Sequence, residues 1–242
     1  MTWIEDLTAH AHGQVNDRVR EALYGRGVSD EQIDQFRIGY LDRTLPELPD
    51  LAEPFLRWCH RGEKLDDVLV LPLTNALGTV MGLQFRHVER ERSGYQDWLP
   101  YKEEPVFFGL GQAMPAVWKT GEVTLVEGGF DLFPIQRHIP GVVATLTARV
   151  SSTFVRFLRR LVRRIWIGYD ADPTGRKAGL QFAREYGREF EVKIIDYPKV
   201  SFMGSGRLIK DPGELWEVWG DEQFAKFLQS LRSDNFMEFP DG

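Results

Sequence analysis

Residues 164–179 read RIWIGYDADPTGRKAG, and this stretch changes character half-way along. Ile165, Trp166 and Ile167 form a continuous apolar run of the kind carried by a strand buried on both faces. The run closes on Asp170. Asp172-Pro173-Thr174-Gly175 then has the marks of a helix start, an acidic cap followed by proline at the first helical position. A strand that feeds a helix through a short polar turn is the repeating unit of a parallel sheet. Upstream, VTLVE (123–127) is a second buried-type strand, GGFDLFPIQRH (128–138) reads as a helix and GVVATL (141–146) as another strand. From Ser151 to Arg164, Phe154, Phe157, Leu158, Leu161 and Val162 recur at helical spacing, with Arg156, Arg159, Arg160 and Arg163 on the opposite side. Downstream, Pro173 to Phe190 reads as a helix and EVKIIDYP (191–198) as a fourth strand. The alternation predicts an α/β domain over residues 120–200, a parallel-type sheet with helices on both faces.

The preceding half is patterned differently. Residues 1–17 are polar and predict a helical arm, and His10 and His12, with no cysteine or acidic cluster beside them, read as exposed. Asp17 is expected to cap a helix carrying Val19, Ala22 and Leu23, which Gly25 and Gly27 end. Ser29-Asp30-Glu31-Gln32 has capping-box spacing, with Ile33 and Phe36 on the apolar side. Pro46, Pro49 and Pro54 mark an irregular connector. VLVLPL (68–73) and TVMGLQFRHV (79–88), joined through Asn75-Ala76-Leu77-Gly78, predict a hairpin with Pro72 at an edge or bulge. Trp98 to Gly111 reads as a packed aromatic loop. Residues 18–119 are thus expected to form a smaller α+β subdomain. Residues 201–242 are expected to be an acidic loop and helix, since Asp211 to Gly242 holds eight acidic and two basic residues, with the helix around Glu222 to Leu231.

Composition limits the function. The chain has 242 residues, 43% of them hydrophobic, with 16 Phe, 7 Trp and 7 Tyr, which is ample material for a core and excludes disorder over the whole length. No apolar run reaches the ~18 residues of a membrane span, and MTWIEDLTAHAHGQ is not a signal peptide. The single cysteine, Cys59, cannot build a disulfide framework or a thiolate zinc module, and fits a cytoplasmic protein. The net charge of −6 hides a basic zone from Thr145 to Leu180, where eight basic residues, Arg149 among them, face two acidic ones. That zone is either a local polyanion contact or a solvated helix face.

The chemistry-bearing residues cluster at the strand ends. Glu127 closes one strand and Asp170 another, and ligands of open parallel sheets sit outside the carboxyl ends of the strands. Asp172 lies two residues beyond Asp170, Asp131 one turn beyond Glu127, and Asp211 in a loop after the last strand. Crowded carboxylates repel one another, and a hard divalent cation relieves the repulsion. Glu127, Asp170 and Asp172 therefore suggest a Mg²⁺ or Mn²⁺ site for phosphoryl chemistry; the alternative is that they are helix caps and strand ends. The helix start at Pro173–Lys177 could hold a phosphate near Arg176 and Lys177. No GxxxxGK[ST] loop occurs, and adjacent Cys59-His60 has poor geometry for a nucleophilic dyad.

LVEGGFD, IGYDADPTGRKAG and KDPGE, in that order and placement, resemble the Toprim domain. Upstream, Tyr24-Gly-Arg-Gly-Val-Ser29 through Phe36-Arg-Ile-Gly-Tyr40, the strand–turn–strand ending at Arg86, and VFFGLGQA resemble the RNA-polymerase core of DnaG-type primases. The resemblance covers residues 24–228. It implies a Toprim domain preceded by a primase-type α+β subdomain, and an enzyme that makes short RNA primers on single-stranded DNA. By position, Glu127, Asp131, Asp170, Asp172 and Asp211 match the family's acidic cluster and would hold Mg²⁺ or Mn²⁺, with Glu127, Asp170 and Asp172 catalytic. Arg86, Lys102, Arg149, Arg176 and Lys177 are the implied contacts to template or nucleotide phosphates. The implied partners are a single-stranded DNA template, ribonucleoside triphosphates, and a replicative helicase or a separate zinc-binding initiation factor, without zinc in this chain. The sequence departs from the family at Gly213, where a second acid is usual, and at Leu146-Thr147-Ala148. The expectation is an excised catalytic core, or a compact primase of a phage or mobile element. A Toprim nuclease and a non-catalytic single-stranded-DNA-binding module are the alternatives.

Overall fold

The computed structural model describes residues 2–43, 45–60, 65–89, 95–100, 105–147 and 150–233. The chain opens with helix α1 (Trp3–Gly13), which buries Ile4, Leu7 and Ala11. It is a packed helix rather than a polar arm. Helix α2 (Asp17–Tyr24) follows, and its cap is Asn16, one residue before the expected Asp17: Asn16 has extended backbone and its side chain accepts from Val19 N–H. Helix α3 (Asp30–Gln35) starts in the capping box predicted for Ser29 and Gln32. Strand β1 (Gly39–Leu41) leads through a 3-10 turn at Asp50–Ala52 into helix α4 (Glu53–His60).

Strands β2 (Val68–Thr74) and β3 (Val80–His87) form the expected hairpin. Pro72 does not lie on a free edge. It falls between the stretch of β2 that pairs with β1, Val68 to Val70, and the stretch that pairs with β5 (Phe107–Phe108), Leu73 and Thr74. The ladder shifts register at Leu73/Thr74, so the bulge half of the expectation holds. Strand β4 (Tyr95–Trp98) pairs with β3. The expected loop from Trp98 to Gly111 instead contains β5 and ends in the first residues of helix α5 (Leu110–Thr120), a helix that the sequence pattern does not predict.

The alternation that follows is β6 (Glu122–Val126), α6 (Leu132–Gln136), β7 (Val142–Ala144), α7 (Ser152–Leu158), β8 (Arg164–Gly168), α8 (Pro173–Tyr186) and β9 (Glu191–Ile194). Helix α7 is shorter than its periodicity suggests. Residues Arg163 and Arg164 donate backbone N–H groups to Gly121 O, which fixes the start of β8 and leaves only a turn after Leu158. A 3-10 turn at Phe202–Gly204 precedes helix α9 (Pro212–Ser233), which breaks at Gly220 (φ 71°, ψ 171°).

These strands make one nine-stranded sheet in the order β4-β3-β2-β5-β7-β6-β8-β9, with β1 on β2. The half from β7 to β9 is parallel and the half from β4 to β5 antiparallel, joined where Phe108 of β5 faces Ala144 of β7. Helices cover both faces of the parallel half. Leu110 and Val117 of α5, Phe154 and Leu158 of α7 and Phe182 of α8 pack with Ile165 and Ile167. Leu132 and Phe133 of α6 and Leu215, Phe224 and Leu228 of α9 pack with Val126 and Trp166. A third cluster seats α1 and α4 on β2 and β3. No helix among the described residues is long and apolar enough to cross a membrane.

Candidate active site

The parallel pairing of β6 with β8, Val126 opposite Gly168, decides where the acids go. Glu127 and Asp170 leave the sheet at the same end, and Asp170 N–H donates to Glu127 Oε1 (3.3 Å). After β6 the chain turns through Gly128 and Gly129 into α6. Asp131 closes that turn by accepting from Gly128 N–H at 2.9 Å. A Cβ on Gly128 would overlap the Asp131 carboxylate, so a larger residue there would displace that acid. From the loop before α9, Asp211 caps that helix by accepting from Glu214 N–H at 2.8 Å. Ala171 N–H donates to Lys210 O, which ties this segment to the end of β8.

Glu127, Asp131, Asp170 and Asp211 line one cavity of about 690 Å³, together with Arg26 and Arg86. Arg86 projects from β3. Arg26, after α2, is buried and donates to Val88 O (2.7 Å) and His87 O (3.2 Å). Phe130 lies against both guanidinium groups, 4.6 Å from Arg26 Cζ and 5.8 Å from Arg86 Cζ to the ring centre. The positive wall is thus organised on one aromatic ring.

Burial, and next the neighbouring carboxylates Glu127 and Asp211, push Asp170 up to about 7. Burial first, then Asp211 and Asp170, raise Asp131 well above the usual carboxylate range, while Arg86 opposes the shift. Asp211 is raised by burial and by Glu214, and Glu127 by burial and by Asp172. Tyr197, fully enclosed, donates to Gly168 O (3.1 Å) beneath this cluster, and its hydroxyl is pushed up by burial and by Asp131 and Asp170. Among the described residues no three acidic or histidine side chains are drawn together in ligand geometry; Glu127, Asp131 and Asp211 each accept from a backbone N–H instead. The donor set is nevertheless all carboxylate oxygen and energetically frustrated as it stands, which suits a hard divalent cation.

The remaining residues singled out in the sequence fall elsewhere. Asp172 is exposed at the rim and caps α8, accepting from Gly175 N–H at 2.8 Å. It faces the cluster closely enough to raise Glu127. Arg176 donates to Ala171 O (2.8 Å) and Lys177 is exposed; neither lines the cavity. Lys102 and Arg149 lie outside the described residues. Arg26, Phe202, Lys210 and Glu214 line the cavity without having been assigned a role from sequence. For Arg26 the available signal is a lone cation between Gly25 and Gly27, which becomes informative only once the cavity is known.

Residues 124–203 match the Toprim-like family model. They span β6 to β9 and include Glu127, Asp131, Asp170 and Asp172, while Asp211 lies just past the match. The chain superposes on the Aquifex aeolicus primase (zinc-binding and RNA-polymerase domains) with a TM-score of 0.71 at 21% identity, covering 94% of this chain and 60% of that one. It superposes on a DnaG catalytic core with a TM-score of 0.70 at 19% identity, covering 94% and 78%. The fold is that of a DnaG-type primase catalytic core. Sequence similarity agrees: the chain is 29% identical to the DNA primase of Aquifex aeolicus over 89% of its own length and 45% of that protein's, and 26% identical to that of Treponema pallidum over 92% and 38%. It therefore spans about two fifths of the length of these curated relatives. A DnaG primase catalytic domain bound to single-stranded DNA is also similar, with a TM-score of 0.70 at 20% identity. In this chain the antiparallel half is not an appendage, because β3 supplies Arg86 to the cavity lined by the acids.

Proposed function

We propose that the chain is the metal-dependent catalytic core of a DNA primase, a nucleotidyltransferase that joins ribonucleoside triphosphates into short primers on single-stranded DNA. One observation carries the reading: four carboxylates from three segments of the chain, Glu127 and Asp131 after β6, Asp170 after β8 and Asp211 at the start of α9, share a cavity with Arg26 and Arg86. A nucleotide polymerase needs this opposition, since anionic phosphates must be gripped beside groups that hold cations. Glu127, Asp131, Asp170 and Asp211, with Asp172 at the rim, would hold Mg²⁺ or Mn²⁺, which when bound neutralises triphosphate charge and acidifies the attacking 3′-hydroxyl. Arg86 and Arg26 bind phosphate oxygens, and their stacking on Phe130 orients both guanidinium groups before substrate arrives. Tyr197 braces the backbone at Gly168 and so positions Asp170. The similarity to a DnaG catalytic domain bound to single-stranded DNA supports the template assignment. On this reading the chain works in the cytoplasm, alongside a helicase or an initiation factor.

The test is ribonucleotide incorporation on single-stranded DNA with Mg²⁺ or Mn²⁺. Asp170→Ala is expected to lower incorporation by at least a hundredfold while leaving circular dichroism and melting cooperativity intact. Full activity in a folded Asp170→Ala protein defeats the proposal. Strand shortening without added nucleotides would favour the nuclease alternative.

A further inference from the structure

The cavity carries an aromatic ring that neither metal nor phosphate chemistry uses. Phe202 stands in the segment between β9 and α9 and lines the same space as Asp170 and Asp211. Its position is built rather than incidental. Phe202 N–H donates to Arg207 O (2.7 Å), Ile209 N–H donates to Val200 O (2.9 Å), and Ser201 and Leu208 bridge antiparallel, so the segment is a closed hairpin. Gly204 and Gly206, at φ +73° and +77°, make the reversal. Arg207 Cζ lies 4.7 Å from the centre of the Phe202 ring. That guanidinium is itself fixed by Glu214 through two hydrogen bonds of 2.9 and 3.0 Å. The ring also packs on the main core yet remains half-buried, not enclosed. Phe130, by contrast, already carries two guanidinium groups.

We infer that Phe202, backed by Arg207, is a stacking platform for a nucleobase at the edge of the acidic cavity. A flat, half-exposed ring that lines a phosphate-binding cavity and is held against a cation is the arrangement on which bases stack irrespective of sequence. The occupant is a base attached to a phosphate, and it can arrive as a free ribonucleoside triphosphate or as a residue of single-stranded DNA. Lys210, at the foot of the hairpin and on the cavity wall, supplies a further cation for that phosphate. The inference rests on the primase reading for its substrate class and goes beyond it in naming the group that grips the base.

The experiment measures equilibrium binding to the full chain of ATP, of an oligo(dT) strand and of inorganic tripolyphosphate, each with Mn²⁺, for wild type, Phe202→Ala and Phe202→Tyr. Phe202→Ala is expected to weaken ATP or oligo(dT) about five- to fiftyfold, to leave tripolyphosphate unchanged, and to be rescued by Phe202→Tyr. Which of the two base-containing ligands is lost identifies the source of the base. Unchanged binding of both overturns the inference. So does an equal loss of tripolyphosphate, because the ring would then only shape the cavity. The two readings fail separately: a wild-type chain that binds ATP through Phe202 but makes no primer sinks the primase and keeps the platform. Unimpaired primer synthesis and binding in Phe202→Ala does the reverse.

Discussion

Gly175 shows how the site constrains a single residue. It occupies the first turn of α8, where alanine ordinarily stabilises a helix by about 1 kcal/mol over glycine. Here the sign reverses. A Cβ at this position would come 2.6 Å from Glu127 Oε1 and would overlap the carbonyl oxygen of Asp170. Gly175→Ala is therefore expected to destabilise the protein by about 1–3 kcal/mol, the range for overpacking a close contact, and to remove activity by displacing both acids. Chemical denaturation with a parallel incorporation assay checks this; a stabilised and active variant would mean that α8 does not press on the acids. The acids themselves were legible residue by residue, because a carboxylate that ends a buried strand has one place to go in a parallel sheet. Arg26 was not. Its contacts with Phe130 and with the carbonyls of His87 and Val88 join segments remote in sequence, and no local pattern encodes them.

At the scale of the element, Asp172 combines two roles that a pair of substitutions separates. Its side chain caps α8, and its charge raises Glu127. Asparagine caps a helix as well as aspartate does, whereas alanine costs about 1 kcal/mol. Asp172→Asn should therefore melt like the wild type and Asp172→Ala several degrees lower. If the charge serves the metal, both should bind Mn²⁺ more weakly and to the same extent. If capping is its whole function, Asp172→Asn should be indistinguishable from wild type in metal titration. Elements with strong local signals were readable: the Ser29 capping box and the Asn75–Gly78 hairpin both formed as their residues dictate. Helix α5 was hidden, since it contains Pro115 and begins at Gly109 in the left-handed region (φ 81°) with no side-chain cap. Its stability comes from Leu110, Ala113, Met114 and Val117 packing on the sheet, a tertiary contribution. The first half of α9 was hidden for a like reason, being separated by Gly220 from the half with the clearer pattern.

For the whole molecule, the sequence divides into an α+β half and a parallel α/β half, and the two residues of β5 join them in one sheet. That joint brings Arg86 to the acids, and it was not legible because VFF has no periodicity to distinguish a strand from a loop. The joined cavity gives the protein a characteristic dependence on pH. In the folded state Asp170 is raised to about 7, and Asp131, Asp211 and Glu127 are raised too, all with burial as the first cause. Unfolding returns these groups to about 4. Between those values the folded chain holds more protons than the unfolded one, so stability falls as pH rises. Without metal, the cluster should therefore favour the folded state most near pH 4 and progressively less up to pH 8, at about 1.4 kcal/mol for each pKa unit that a single group is displaced. The lowered carboxylates Glu31, Asp221, Glu222 and Glu191 act in the opposite sense, but only below about pH 4, outside this window. Millimolar Mg²⁺ should raise the melting temperature at pH 8 and do little at pH 5, where protons already neutralise the cluster. Asp131→Asn removes one of the repelling charges, so the metal-free variant should melt higher than wild type at pH 8 and respond less to Mg²⁺. A metal-free melting temperature that is flat from pH 5 to 8, or a Mg²⁺ response unchanged in Asp131→Asn, would show that these carboxylates do not act as one charged unit.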